Sequence, residues 1–368
     1  MDVLYNPTAD GAAAKITKQL EPAIEQLEDV AKAGRDLAAL GLRQVFFVSA
    51  GAGLAIGESL IAYTDGAAQT LQFTSHAASA FVDLMGENPS IANASDTLVI
   101  LSSKSGGTPE TVEAAKLLQD KTCKTVVFTK SSDTKLASYG HMAFFAEETT
   151  QAFHATHMLM AAFTGGILEE KETWRFMPAL ASTLKALPAA LLHAAMKGMS
   201  AGHTFAEDFK EDTPLYVIAS GSGVLVPRAF GLCVLEERFG FDVHAIQASD
   251  FFHSVVETVR ADKETVRGNT KPRFILTIPE DRSRGRMLDI KTFFEESAND
   301  LEVTFHVIDT KDLDTSGIDP EILKIVGPLL CEAYLKPWAP ILAGVTKKTM
   351  NDPLIHMGRF KYYNCHLG

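Results

Sequence analysis

Two segments of the chain share one order of elements: an apolar strand, a glycine-rich turn and a helix. Residues 45–48 run into Ser49-Ala50-Gly51-Ala52-Gly53, and residues 215–218 run into Ala219-Ser220-Gly221-Ser222-Gly223. Strands that alternate with helices are typical of right-handed βαβ units, which assemble into parallel sheets. Because the opening recurs about 170 residues later, the sequence predicts two α/β lobes.

Further strands and helices extend this pattern. We predict strands at residues 72–75, 97–101, 125–128, 273–277 and 303–308, and helices at Pro109–Leu118 and around residues 286–297. The segment at 151–210 has helical periodicity, with Pro178 and Pro188 as predicted breaks, and would join the lobes. From about residue 338, prolines and aromatic residues indicate a C-terminal tail. The predicted architecture is two tandem doubly wound parallel-sheet lobes, residues 1–195 and 196–368.

The composition restricts the partners of the chain. Its net charge is −12, which disfavours nucleic acid and anionic membranes because both attract basic surfaces. No segment of about 18 uninterrupted apolar residues is present, and the N-terminus lacks the pattern of a signal peptide. The four cysteines are far apart with no C-x-x-C pair, which favours reduced thiols in a cytoplasmic protein and no zinc site.

The glycine-rich turns also invite comparison with a dinucleotide fingerprint. That fingerprint requires G-x-G-x-x-G and an acidic residue about twenty positions later. Ile56 stands where the third glycine belongs, and Val226 stands there in the second lobe. The second strand, which contains Ser75, ends in no acidic residue. We therefore expect no nucleotide cofactor.

The segment Ser103-Lys104-Ser105-Gly106-Gly107-Thr108 is a candidate anion site. It follows a strand and opens a helix at Pro109, where free N–H groups and the helix dipole favour negative charge. The alternative is an ordinary N-cap, which requires only Thr108. Three hydroxyls and two glycines in six residues favour the anion site, with Lys104 as a possible point charge or an exposed lysine.

This loop resembles the phosphate-binding loop of the sugar isomerase (SIS) domain, whose pattern is S-x-S-G-x-T-P-E-T. The resemblance implies flavodoxin-like lobes and a hexose 6-phosphate held by Ser103, Ser105 and Thr108. It extends over nearly the whole chain. We accordingly expect a small anionic sugar substrate, with Lys104 and the turn residues Gly51, Ser75, Gly221 and Ser222 as further substrate-binding candidates.

The second lobe contains acid–base candidates, Glu237 and His253. Without context, Glu236 and Glu237 are typical of a solvated helix face, and a histidine between aromatic residues is typical of a core. The stretch is nevertheless similar to SIS-family deglycases of fructosamine phosphates, whose catalytic glutamate precedes the catalytic histidine by sixteen residues, as Glu237 precedes His253.

That resemblance implies a reaction and an assembly. Glu237 would be the general base and His253 the general acid, in a homodimer whose active site lies at the subunit interface, without metal or redox cofactor. The family's Gly and Pro after the histidine are here Ser254 and Val255, and its turn serine aligns with Gly53. These departures leave the substrate open.

Three functions therefore remain. The leading hypothesis is cleavage of a fructosamine 6-phosphate into a hexose 6-phosphate and an amino acid. The alternative is aldose–ketose isomerisation of a hexose 6-phosphate or a 6-sulfonated hexose such as sulfoquinovose. A non-catalytic sugar-phosphate sensor is a third, disfavoured because the first forty residues contain no basic recognition helix. His154 and His157 could ligate a metal, but no carboxylate set accompanies them.

Overall fold

The computed structural model describes residues 2–259, 271–301, 303–351 and 354–355. They divide into two compact units. The first lobe is residues 13–188, and the second lobe combines residues 2–12 with residues from 189 onward. The predicted boundary at 195/196 and the observed division both fall within one helix, Met177–Ala206.

The first lobe contains five strands and the helices between them. In chain order these are α1 (Ala12–Ala38), β1 (Gln44–Ser49), α2 (Gly51–Ala67), β2 (Gln72–Ala77), α3 (Ala78–Glu87), β3 (Thr97–Ser102), α4 (Pro109–Leu118), β4 (Lys124–Thr129), β5 (Met142–Phe145), α5 (Ala152–Glu172) and the first part of α6 (Met177–Ala206).

All five strands are parallel, in the order β2-β1-β3-β4-β5. One face of the sheet packs on α3 and α4 through a core that includes Val48, Phe81 and Leu101. The chain leaves β1 toward one side of the sheet and β3 toward the other, so the strand order reverses between these strands. Ligands of open α/β sheets bind at this reversal, outside the carboxyl ends of the strands. Ser49 and Ser102 are paired there in register.

The second lobe repeats the plan with four strands. Its elements are β6 (Leu215–Ala219), a π-helix (Pro227–Glu236), α7 (Glu237–Phe239), β7 (Val243–Gln247), α8 (Ala248–Phe251), β8 (Arg273–Ile278), α9 (Arg284–Leu301), β9 (Thr304–Asp309), α10 (Pro320–Leu335) and α11 (Trp338–Thr346). The strands are parallel in the order β7-β6-β8-β9. The corresponding reversal lies between β6 and β8, and the sheet packs on α8 and α9 around Phe251, Phe274 and Phe294.

The two predicted proline breaks are wrong. Pro178 is the second residue of α6 and Pro188 lies inside it. Proline is tolerated in the first helical turn, where its missing N–H has no intrahelical partner, and an interior proline disturbs a helix without necessarily ending it. The contact-based division of the chain falls directly after Pro188.

Helices α6 and α11 are both apolar. By length and composition α6 alone among the described helices could span a membrane, but half of its most apolar window is buried inside the protein. The Trp338 indole donates a hydrogen bond of 2.9 Å to the Gly198 carbonyl of α6. Residues 338–346 of the predicted tail form α11. Pro337 is the N-cap of this helix and Pro340 lies in its first turn, where proline is tolerated. Residues 356–368 of that tail lie outside the described residues.

The predicted fold class is confirmed. The chain is an α/β protein with two doubly wound parallel sheets, and the first has the 2-1-3-4-5 order of the flavodoxin-like fold.

Candidate functional site

The candidate anion loop brings its three hydroxyls together after β3. The Ser103 Oγ lies 2.8 Å from the Thr108 Oγ1 and 3.4 Å from the Ser105 Oγ. Thr108 is the N-cap of α4, yet its side chain makes no capping hydrogen bond to the helix. Its hydroxyl is directed to Ser103 instead, which disagrees with the ordinary N-cap alternative. The arrangement therefore supports an anion site at the start of α4.

The loop is held by its backbone. The Ser103 amide donates to the Phe128 carbonyl at 3.0 Å, and the Lys130 amide donates to the Lys104 carbonyl at 3.2 Å. Gly106 has a φ of +62°, and a Cβ at this position would overlap Thr134 and come within 2.8 Å of the Thr129 Oγ1. Only glycine fits this conformation and this space. The backbone that carries these hydroxyls is thus held in place by contacts within the lobe. The Lys104 side chain is exposed.

The neighbouring ends of strands β1 and β3 carry a second pair of hydroxyls. The Ser49 Oγ donates to the Ser102 carbonyl at 2.5 Å, and the Ser102 Oγ donates to the Ser49 Oγ at 3.1 Å. Both hydroxyls fill the space that a Cβ on Gly53 would occupy. Gly51, with a φ of +55°, faces open space. The first-lobe crevice is therefore open at Gly51 and closed by serine hydroxyls beneath Gly53.

Ser75 lies away from this crevice. It pairs with Phe47, two positions before β2 ends. Its Oγ is buried against Gly57 of α2, where a Cβ would come within 2.9 Å of it. Within the described residues this hydroxyl has no hydrogen-bond partner. Ser75 thus faces the α2 layer, and its role in substrate binding stays a prediction.

In the second lobe the equivalent crevice is occupied by a side chain. Gly221 has a φ of +54°, close to that of Gly51. The amide and hydroxyl of Ser222 both donate to the Asp281 Oδ2, at 2.6 and 2.8 Å. The predicted substrate-binding donors of Ser222 therefore already have an acceptor within the chain.

The predicted acid and base are both exposed in the second lobe. Glu237 follows directly on the ten-residue π-helix, a rare conformation that is frequent at functional sites. His253 lies in the turn after α8, where its amide donates to the Asp250 carbonyl at 3.3 Å. Within the described chain, neither the Glu237 carboxylate nor the His253 imidazole makes a hydrogen bond or ion pair. Both are available to a ligand or a neighbouring chain.

A buried ion cluster lies within the second lobe, and the sequence analysis missed it. The Lys336 Nζ lies 3.0 Å from the Glu332 Oε1 and 3.3 Å from the Asp2 Oδ2, and it also faces the Tyr5 ring. Desolvation lowers the pKa of Lys336, but Glu332 and Asp2 outweigh it and hold the pKa well above the usual range. Burial, and to a smaller extent Glu237, raises the pKa of the Cys233 thiol on the π-helix to about 11.

The two histidines of α5, His154 and His157, are buried. Burial lowers the pKa of His157 to about 3, with a smaller contribution from His154. His154 contacts Gln151 at 2.9 Å. Among the residues that the structure describes, no group of three or more His, Cys, Asp or Glu side chains could hold a metal ion.

Fold and loop together define the class of protein. It has two doubly wound lobes, with the candidate anion loop of serine and threonine at the strand-order reversal of the first. The family model of the SIS domain matches residues 43–164, which span β1 to α5. The chain belongs to the SIS family of sugar-phosphate enzymes, and it is similar to a fructosamine deglycase.

Two relatives and one solved structure show this similarity. The agropine synthesis conjugase of Rhizobium rhizogenes is 56% identical over 100% of this chain and 99% of its own length. The fructosamine deglycase FrlB of Bacillus subtilis (strain 168) is 25% identical over 94% of this chain and 96% of its own. A solved Bacillus subtilis structure classed as a phosphosugar isomerase has a TM-score of 0.76 and 23% identity, covering 91% of this chain and 96% of that one.

Proposed function

We propose that the chain interconverts a fructosamine 6-phosphate with a hexose 6-phosphate and an amino acid. The observation that carries the proposal is the convergence of the Ser103, Ser105 and Thr108 hydroxyls at the start of α4. Similarity to a fructosamine deglycase supports cleavage. Similarity to a conjugase over the full length supports the joining direction. One catalyst accelerates both directions, and the concentrations of amine and sugar decide which one dominates.

The loop would bind the phosphate of the sugar. Hydroxyl donors and the free amides of the first turn of α4 would surround its oxygens, and the dipole of the helix adds a favourable field. The Lys104 side chain is exposed beside them and can approach the same anion.

The chemistry at C1 and C2 needs one base and one acid. In cleavage, His253 assists ring opening to the open-chain ketosamine. Glu237 then takes the C1 proton, the C1–H electron pair forms the C1–C2 double bond, and the C2 carbonyl oxygen takes up a proton, which gives an enaminol. Protonation at C2 then gives an imine at C1. Water adds to C1 of that imine and releases the amine and the aldose. The sequence involves no net oxidation, so no redox cofactor is expected. Joining follows the same steps in reverse.

The assembly belongs to the same proposal. His253 is exposed and adjoins Phe252, whose side chain is 46% exposed. A large aromatic residue beside a catalytic acid favours an interface between two copies. We propose a homodimer whose neighbouring subunits complete each site, located in the cytoplasm, with neither nucleic acid nor membrane as a partner.

The test supplies both directions to the pure protein. Fructoselysine 6-phosphate and fructoseasparagine 6-phosphate are incubated while glucose 6-phosphate and primary amine are measured. In the other direction, glucose 6-phosphate is incubated with a panel of amino acids, and mass spectrometry detects the adduct that has lost one water. We expect turnover in wild type and a loss of at least about a hundredfold in Glu237→Gln and His253→Ala.

The control is Glu236→Gln, which makes the same change at the adjacent exposed position and should keep wild-type turnover. Full activity of Glu237→Gln would disprove the assigned base. Ketose formation without amine release would identify an aldose–ketose isomerase instead, and a sulfonated hexose is the additional substrate for that assay.

A further inference from the structure

The two lobes open their sheets with matching turns that differ in what they face. Gly51 and Gly221 both follow the first strand of their sheet with φ values of +55° and +54°. A Cβ on Gly51 would meet nothing within 4 Å. A Cβ on Gly221 would overlap the Asp281 carboxylate and lie 2.5 Å from the Ser283 Oγ. The first crevice is therefore open, and the second is filled.

The group that fills it is a fully bound carboxylate. The Asp281 Oδ2 accepts from the Ser222 amide at 2.6 Å and the Ser222 hydroxyl at 2.8 Å. The Oδ1 accepts from the Ser283 amide at 2.8 Å and the Ser283 hydroxyl at 2.5 Å. Each oxygen thus has one N–H and one O–H donor, which is complementary to both edges of an ionised carboxylate.

The surrounding residues hold these donors in place. Ser222 is fully buried, and the Ser220 Oγ donates to the Ser283 Oγ at 2.7 Å. Arg284 cannot compete for Asp281, because its guanidinium is bound by Glu280 and by Asp309 at 2.6 Å. The Arg284 guanidinium is therefore bound within the second lobe by these two carboxylates.

We propose that the crevice between β6 and β8 is a carboxylate-binding site that the chain occupies with its own Asp281. The site recognises a small carboxylate through the amides and hydroxyls of Ser222 and Ser283. Among the described residues, the open crevice at a strand-order reversal is consequently the one in the first lobe, and substrate anions do not enter the second. This inference does not depend on the proposed reaction.

The experiment removes the internal carboxylate and offers a free one. Asp281→Ala leaves the donors in place with room for formate. We expect the variant to have a lower Tm than wild type, and sodium formate to raise that Tm saturably beyond the effect of equal sodium chloride. Wild type should show no such difference, because its site is filled. In Asp281→Asn the side-chain amide occupies the site, so formate should raise the Tm no more than equal sodium chloride does.

Asp314→Ala is the matched control. Asp314-Thr315-Ser316 forms the same local Asp-x-Ser turn, with the Ser316 hydroxyl 2.7 Å from the Asp314 Oδ1. That aspartate is exposed, and among the described residues no second serine turn faces it. Sodium formate should therefore raise the Tm of Asp314→Ala no more than equal sodium chloride does.

Two results would overturn the proposal. One is a formate response of Asp281→Ala that equals that of wild type or of Asp314→Ala. The other applies if Asp281→Ala does not fold in sodium chloride: the proposal is wrong if sodium formate does not restore its folding. Ser283→Ala provides an independent test. The proposal requires the Tm of Ser283→Ala to fall below that of Ser316→Ala, and equal values contradict it.

Discussion

The Ser103 and Thr108 hydroxyls lie 2.8 Å apart at the first turn of α4. Because the Thr108 side chain makes no capping hydrogen bond to α4, the pair can contact a ligand. Thr108→Val removes one donor and keeps the side-chain shape. A hydrogen bond to a charged group contributes about 1.5–3 kcal/mol. We therefore expect KM for a phosphorylated sugar to rise by roughly 10- to 150-fold.

Thr108→Ser retains the hydroxyl and should remain near wild type in the same kinetic assay. An unphosphorylated substrate provides the second comparison, because its KM should respond little to Thr108→Val. Equal effects on both substrates would contradict phosphate binding by this loop.

The buried Lys336 predicts a large effect on stability. Lys336→Met leaves the Glu332 and Asp2 carboxylates without their cation in a buried site. Breaking a buried ion pair by removing one partner costs about 3–5 kcal/mol. We expect a correspondingly lower denaturation midpoint in chemical unfolding followed by circular dichroism.

Lys324→Met, on the helix that Lys336 caps, is the control, because the Lys324–Glu321 pair is partly exposed. Exposed pairs contribute little, so its stability should change by less than about 1 kcal/mol. Equal losses in the two variants would show that Lys336 is not a buried ion-pair partner.

The pKa of His157 predicts a dependence of stability on pH. Burial lowers this pKa from 6.5 to about 3, so below pH 6.5 the unfolded chain binds a proton that the folded chain does not. Stability from this residue is complete above pH 6.5 and falls as the pH decreases toward about 3. The expected slope is about 1.4 kcal/mol per pH unit.

His157→Leu should remove this dependence. Unfolding measured at pH 7 and pH 5 should show the variant gaining stability over wild type as the pH falls. His203→Leu makes the same change at an exposed position and should leave the slope as it is in wild type. A wild-type slope in His157→Leu would mean that His157 does not titrate in this way.

The packing of Gly53 predicts that a side chain will not be tolerated there. In Gly53→Ala the new Cβ would overlap the Ser49 hydroxyl and lie 2.6 Å from the Ser102 Oγ. Overpacking of this kind costs about 1–3 kcal/mol. Gly66→Ala, on the same helix and with nothing within 4 Å, should be neutral or gain up to about 1 kcal/mol. Thermal unfolding compares the two, and equal Tm values would contradict the packing argument.

The sequence predicted the elements that have local signals. Pro109–Leu118 matches α4 residue for residue, because Thr108, Pro109 and Glu110 combine the residues typical of a helix start. Strands β5 and β7 were not predicted. Both are short edge strands with partly exposed residues, and an edge strand is defined by its pairing more than by its own composition.

The site was predictable to a similar extent. The anion loop is contiguous in sequence, so its three hydroxyls could be grouped before the structure. The contact between Asp281 and Ser222 joins residues 59 positions apart, and Lys336 reaches Asp2 from the other end of the chain. No local pattern specifies either pair, because each joins residues that are brought together only when the second lobe has folded.

The membership of residues 2–12 in the second lobe has a consequence for biosynthesis. The described residues of the first lobe, 13–188, form one continuous stretch, so this part of the chain can fold while translation continues, as domains generally do from the N-terminal side. The segment that contains Asp2 and Tyr5 leaves the ribosome before the first lobe, but its partner Lys336 is translated more than three hundred residues later. This segment must therefore wait until the rest of the second lobe has been translated, and closure of the Lys336 cluster becomes a late step in maturation.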